Sequence, residues 1–413
     1  MLTKHKKVKL LTGLFLIVFL LFSNFNHSLA ASHYERDADT GIRLFADTKV
    51  CFVTGETATT KLSLVNTRTG SELYATDWTS SDTGKLTVTS SIGKGIVTQN
   101  SLAKPNEEAY IYCNNNGNTY RFQFSIVENH QRANAVNYMY RMGTIPWKTG
   151  WNTIHYKRSE TSSSPYYWKP FTTYYGIPYT NRTVRPITDL NTFRHQGLSD
   201  DGQLALRNEA YMGNDCSSAL CFAWNYGLYR NPSENFFKEN QYYGYPKTKA
   251  FMMYKSALEP GYAIKFLLPK IALTTLENSI GLSLRLNLSY QGYDTRIATT
   301  SQEEIMTGSH TGKTVSEVIY ASYQKLKPAD AVIHYKMNDS GGYGHTMLVR
   351  ASTENGIYFI DQHSLFVNSQ TNSDSSIKPG ESTFSTYRFF TYERLLEDGY
   401  LPLRLNGIDK IGN

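Results

Sequence analysis

The sequence predicts an α+β chain with an exported start. Three observations carry this. Alternating strand text fills residues 40–128, an apolar helical stretch opens on Cys216, and strand text broken by glycine turns follows it. The order of strands, then helix, then antiparallel strands divides the chain into a β-rich N-terminal part and a larger C-terminal part, residues 129–413.

The first thirty residues read as a signal peptide. Lys4, Lys6, Lys7 and Lys9 form a basic start without acidic residues, an apolar run spans Leu10 to Phe22, and Ser28-Leu29-Ala30 supplies the small residues of a cleavage site. The apolar run is shorter than the ~20 residues that span a bilayer, so cleavage near Ala30 and no lasting membrane insertion are expected. The net charge is +7 and four lysines leave with the signal, so the mature chain carries +3. That excess is too small to argue for nucleic acid and suits weak attraction to an anionic cell wall.

Residues 40–128 alternate apolar and polar in TTKLSLVN, GKLTVTSS, EAYIYCNN and TYRFQFSIVEN, with turn text such as NTRTGSE and NNNGN between them. Short strands at this spacing predict an all-β sandwich. Trp78, Ser80, Ser81, Asp82, Gly95, Val97 and Thr98 resemble the signature of group-2 bacterial immunoglobulin-like domains, which implies a spacer or adhesion module. Cys51 and Cys113 both sit in strand text of this part, and export permits a bridge between them; spacing alone leaves it open.

Residues 129–200 connect the two parts. NHQRANAVNYMYRMGTI places Ala135, Tyr138 and Met142 at near-helical spacing. Trp147, Trp151 and Trp168 follow in polar text, and then TYYGIPYT.

From residue 201 onward helix precedes strands. A thiol acts as a nucleophile in its thiolate form, which a helix N-terminus and a nearby imidazolium both favour. Gly213-Asn214-Asp215 can cap a helix, and Ala219, Leu220, Phe222, Ala223 and Trp224 continue it as an apolar stretch. Cys216 therefore stands at a helix start, with its amide free to meet a developing oxyanion. Cys221 reads as a buried helix residue. AIKFLLPKIA reads as an apolar segment of an insertion. LKPADAVIHYKM, HTMLVRAS and GIYFIDQHS read as successive strands, with Gly341, Gly342, Gly344 and Asn355-Gly356 in the turns. YERLLEDGYLPLRL closes the chain with a short helix and a strand.

Of the histidines in the mature chain, His345 is best placed to serve Cys216. It opens a strand directly after three glycines, where small residues leave room for substrate. A histidine at a hairpin end is by itself most often an ordinary surface residue; the Asp-Cys-Ser-Ser motif upstream is what singles His345 out. A third group must fix its tautomer. Asp361, 16 residues later, shares a strand face with His363 while Gln362 points the other way.

These motifs resemble the NlpC-type and CHAP-type cysteine hydrolases, a papain-like superfamily of cell-wall enzymes. The family's Asp-Cys-Ser is matched by Asp215-Cys216-Ser217, its Gly-x-Pro-Tyr by Gly176-Ile177-Pro178-Tyr179, and its Pro-Gly-Asp plus strand by Pro328-Ala329-Asp330 and Ala331-Val332-Ile333. Its Gly-His strand is matched from Gly344-His345 to Val349, and its Glu-Gln-Asn aligns with Asp361-Gln362-His363. The matches fall in pieces over residues 170–365. Two departures stand out. Ala329 replaces a glycine, and the 129 residues between Cys216 and His345 are about twice the family's spacing, so an insertion over residues 230–320 is expected, which either walls the substrate groove or is only structural.

The resemblance implies a secreted cysteine peptidase or amidase, acting on peptidoglycan stem peptides at the cell wall of a Gram-positive bacterium. Cys216 would be the nucleophile, His345 the base and Asp361 the orienting group, with His363 the alternative because NlpC-type enzymes use a histidine there. Asp215 and Ser217 would lie beside the substrate. Tyr179 either lines the site or packs in the core. No cofactor or metal site is expected, since neither His-Glu-x-x-His nor paired Cys-x-x-Cys occurs. Two other readings remain open: a transglutaminase-like acyl transferase, which shares the Cys, His, Asp order but carries a Trp where Thr346 stands, and an inactive wall-binding or adhesion protein.

Overall fold

The computed structural model describes residues 32–33, 35–36, 40–149, 154–156, 166–177, 179, 203–204, 215–231, 264–267, 320–338, 341–363 and 376–409. The expected signal segment and most of the expected insertion lie outside the described residues, as does Pro178. Among the described residues the chain is β-rich.

The N-terminal strands are β1 (Ser32–His33), β2 (Ile42–Ala46), β3 (Cys51–Val53), β4 (Thr59–Asn66), β5 (Ser71–Leu73), β6 (Thr76–Ser80), β7 (Leu86–Ser91), β8 (Lys94–Gln99), β9 (Glu108–Asn115) and β10 (Asn118–Val127). One sheet runs β1-β10-β9-β6 with β3 also on β10; the other runs β2-β4-β8-β7 with β5 also on β4. Alternation explains the layering. Leu62 and Leu64 of β4, Val97 of β8, Ile111 of β9 and Phe122 and Phe124 of β10 are buried in one core, while their sequence neighbours Lys61, Thr98 and Tyr112 stay at least partly outside.

The open question of a Cys51–Cys113 bridge is settled against it. Both thiols are free and buried. They lie in one sheet, not in two: Cys51 pairs with Ser125 on one edge of β10 and Cys113 with Tyr120 on the other. Two strand spacings and five residues of rise separate them by roughly 20 Å, far beyond the ~7 Å limit for Cα atoms of a disulfide.

Helix α1 (His130–Thr144) follows, capped by the Asn129 side chain on the Arg132 amide, with Ala135, Tyr138 and Met142 buried. Short strands β11 (Pro146–Thr149), β12 (Ile154–Tyr156), β13 (Tyr166–Trp168), β14 (Thr173–Tyr175) and β15 (Gln203–Leu204) form two small sheets. Trp147, Trp168 and Tyr174 cluster there, with ring centroids 4.5 to 5.2 Å apart.

The C-terminal part is built on helix α2 (Cys216–Tyr229) and strands β16 (Ile264–Phe266), β17 (Ala331–Asn338), β18 (Gly341–Thr353), β19 (Gly356–Gln362), β20 (Phe384–Thr391) and β21 (Leu401–Leu405), with the short helix α3 (Tyr392–Glu397) before β21. These strands form one antiparallel sheet ordered β16-β21-β17-β18-β19-β20. Both α1 and α2 pack on β18 and β19 and against each other.

Ala329 occupies a backbone conformation that favours glycine. Lys327-Pro328-Ala329-Asp330 is a turn closed by the Asp330 amide on the Lys327 carbonyl, and Ala329 has φ +72°. Proline second and a left-handed third residue make a type II turn, the position where glycine is favoured. The Ala329 carbonyl accepts the Trp224 indole N–H at 2.8 Å, which ties α2 to the start of β17.

The two helices cross at Gly227. A Cβ there would lie 2.7 Å from the Gln131 carbonyl and 3.0 Å from the Ala135 Cβ. Gly227→Ala gains ~1 kcal/mol of helix propensity, but a backbone carbonyl cannot give way, and overpacking costs about 1–3 kcal/mol. The variant is expected to melt below wild type in a thermal denaturation; a melting temperature at or above wild type would contradict this crossing.

Candidate active site

The site begins with the cap of α2. Asp215 is extended at φ −99°, ψ 179°, and its carboxylate accepts from the Ser218 amide while the Ser218 hydroxyl accepts from the Asp215 amide. The Ser217 hydroxyl donates to the same Asp215 oxygen at 2.9 Å. Burial raises the Asp215 pKa and these hydrogen bonds partly offset it. Asp215 and Ser217, expected beside a substrate, are thus engaged with each other and with the helix start. Their effect is to fix Cys216 as the first helical residue, whose amide has no acceptor within the helix.

Opposite the cap stands His345 on β18. It pairs across β17 with His334 and is 7% exposed. Its Nε2 lies 2.8 Å from Asp361 Oδ2 on β19. Extending the register Leu348↔Ile360 sets Asp361 diagonally across from His345, within reach of a long side chain. Cys216 lies close enough to His345 to favour its charged form. The structure therefore brings together Cys216, His345 and Asp361 from a helix start and two neighbouring strands.

Burial opposes the His345 imidazolium, yet Asp361 and Cys216 together push its pKa up to about 9. Burial likewise opposes the Asp361 carboxylate, and the charges of Arg388 and His345 overcome it, holding Asp361 well below the usual carboxylate range. The His345 contribution to stability is whole below pH ~6.5, its ordinary value, and fades as pH rises through about 9; the Asp361 contribution is present above its ordinary value and fades on acidification.

His363 lies just past the end of β19. Its amide donates to the Thr383 carbonyl at 2.8 Å, and its side chain lines a pocket with Arg36, Arg43 and Arg388. It is Asp361, not His363, whose side chain reaches His345. Tyr179 is half-buried against the core. The glycine before it has a physical reason: Gly176 has φ +71°, and a Cβ would meet Ser382 Oγ at 2.6 Å and the Gly143 carbonyl at 2.9 Å. Beside it, the Ile177 carbonyl accepts from Gln362 Nε2 at 2.8 Å, which seats this segment against the strand carrying Asp361.

Sequence reasoning missed Arg388. Its Nε lies 3.1 Å from Asp361 Oδ1. The arginine of STYRFF carries no motif; only the pairing of β19 with β20 brings it to Asp361.

No protein-family model matches the chain, and no curated protein is significantly similar to it. Among solved structures it is similar to pieces of the S-layer protein SbsC. These are domains 4 and 5 (24% identity, TM-score 0.17, 20% of this chain and 50% of that one), domains 5–6 (17%, 0.18, 32% and 60%) and domains 4–9 (16%, 0.17, 32% and 19%). The chain thus spans between a fifth and three fifths of the length of those structures, and TM-scores this low carry no argument about fold or function. No helix among the described residues is long and apolar enough to cross a membrane.

The charge state of His345 is directly measurable. Its imidazole is expected to stay protonated to about pH 9 by NMR titration, and Asp361→Asn, which removes the carboxylate charge, is expected to lower that midpoint. A wild-type midpoint at the ordinary ~6.5, or no change on substitution, would contradict the ion pair.

Proposed function

We propose that this chain is a secreted cysteine hydrolase that cuts peptide bonds of peptidoglycan stem peptides through a thioester acyl-enzyme. The observation that carries the reading is the line Cys216–His345–Asp361, with the thiol at a capped helix start and the imidazole between thiol and carboxylate. Helix-borne thiol and strand-borne imidazole are the division of labour of a papain-like site, and the ordered motifs around them supply the substrate class. In the same reading the N-terminal sandwich is an immunoglobulin-like spacer and the enzyme works at the cell wall.

The chemistry follows from the geometry. His345 holds the proton as the imidazolium while Sγ of Cys216 attacks the carbonyl carbon. The charge that forms on oxygen meets the Cys216 amide, a donor fixed in place by the helix cap. His345 then gives its proton to the leaving amine, so that the peptide bond breaks and a thioester remains. Water, deprotonated by His345, attacks the thioester, releases the carboxylic acid and restores the thiol. Throughout, Asp361 holds the imidazole in one orientation and stabilises its charged form. Asp215 and Ser217 act by shaping the helix start.

Cys216→Ala is expected to reduce the release of soluble fragments from defined peptidoglycan to background, followed by mass spectrometry. His345→Ala is expected to lower kcat/KM on the order of 10²- to 10⁴-fold. Fragment release by Cys216→Ala at the wild-type rate would sink the proposal, and the masses of the fragments identify the bond that is cut.

A further inference from the structure

We propose that Arg388 is a positioning residue for this site: its guanidinium holds the Asp361 carboxylate from the side away from His345, so that one carboxylate oxygen stays on the imidazole. The inference rests on reading Cys216, His345 and Asp361 as one reactive unit.

Asp361 is fully buried, and its two oxygens face different partners. Oδ2 meets His345 Nε2 at 2.8 Å. Oδ1 is also buried and accepts no hydrogen bond of ordinary geometry among the described residues. Its cationic neighbour is Arg388, with Nε 3.1 Å away. Without that charge a carboxylate with one bare oxygen in a dry site would tend to take up a proton. A neutral acid no longer stabilises an imidazolium.

The strand that carries Arg388 is itself held. Two residues earlier, the Thr386 carbonyl accepts from Arg350 Nη1 at 2.8 Å and the Thr386 hydroxyl accepts from Arg43 Nη2 at 2.8 Å. The register between β19 and β20 shifts between Phe359 and Asp361, an irregularity of the kind that re-aims side chains. The other arginines of the neighbouring pocket are committed elsewhere: Arg36 pairs with Glu381, and Arg43 lies over the Phe45 ring, 4.6 Å from its centroid. Arg388, 34% exposed at its side chain, reaches Asp361 from an open pocket. The titratable groups around the carboxylate are His345 from β18, Arg388 from β20 and His363 beyond β19, while Cys216 on α2 faces His345.

The test uses the full mature chain and no substrate. The pH dependence of Cys216 alkylation by iodoacetamide and the NMR titration of His345 are compared in wild type, Arg388→Gln, Arg388→Ala and Arg388→Lys. With the cation removed, Asp361 is expected to protonate at a pH higher by roughly one unit or more, so the acid limb of alkylation moves up by that amount. The alkaline midpoint of His345 moves up too, because its carboxylate loses a competing cation; Asp361→Asn moves it the opposite way. Arg388→Lys keeps the charge and most of the wild-type profile. In Arg388→Ala, guanidinium ion entering the vacated pocket restores the acid limb.

A side chain with only a packing role would give none of these shifts. Wild-type limbs in a folded Arg388→Gln protein would overturn the proposal, as would an Arg388→Ala profile indifferent to guanidinium. The hydrolase reading fails separately, if wild type shows the coupled titration but leaves peptidoglycan intact.

Discussion

An imidazole and a carboxylate buried side by side, His345 and Asp361, set the terms for everything around them. Taking either charge out of water costs on the order of several kcal/mol, and only close, hydrogen-bonded pairing offsets that. The surrounding structure meets the requirement from two sides. Arg388 supplies a cation at the far oxygen of Asp361, and Cys216 stands near enough to His345 to favour its charged form. The result is a row of four polar groups from four elements, α2, β18, β19 and β20. Each depends on its neighbour for its charge state, so the row acts as a unit and not as four independent side chains.

The sandwich reaches into this unit through buried arginines. Arg350 on β18 pairs with Glu35 and bonds to the Gln123 carbonyl of β10 and to the Thr386 carbonyl of β20. Its guanidinium also lies 4.8 Å from the Phe122 ring centroid and 5.5 Å from that of Tyr140. Arg43 on β2 reaches the Thr386 side chain. A second buried network, in which Arg132 meets Asp330 and Asp409 and Arg404 meets Asp330, ties the start of α1 to β17 and to the chain's last described residues. The N-terminal strands and the antiparallel sheet therefore share one continuous apolar core. The boundary near residue 128 separates motifs in the sequence without separating the packing.

Much of the local structure was legible because period-2 alternation reports burial directly. TTKLSLVN is β4 and EAYIYCNN is β9, residue for residue. The helix from Cys216 was legible from its cap and apolar run, and the glycine positions of two motifs are now explained by left-handed backbone at Gly176 and Ala329. What the sequence left open was long-range pairing. Nothing local says that β3 and β9 flank the same strand, which is why a Cys51–Cys113 bridge looked feasible. Alternation put Asp361 and His363 on one face and left the choice between them to register. Arg388 was invisible for the same reason, since its importance comes from a strand pairing and not from any motif.

The central claim is that Cys216 forms a covalent acyl intermediate while its neighbours manage the proton. Intact-mass spectrometry of the protein, quenched in acid during turnover of a stem peptide and followed by peptide mapping, tests it most directly. The account predicts a transient acyl adduct on Cys216 that disappears as product accumulates, and no adduct in Cys216→Ala. Product release with no adduct on Cys216, or with an adduct on another residue, would contradict it.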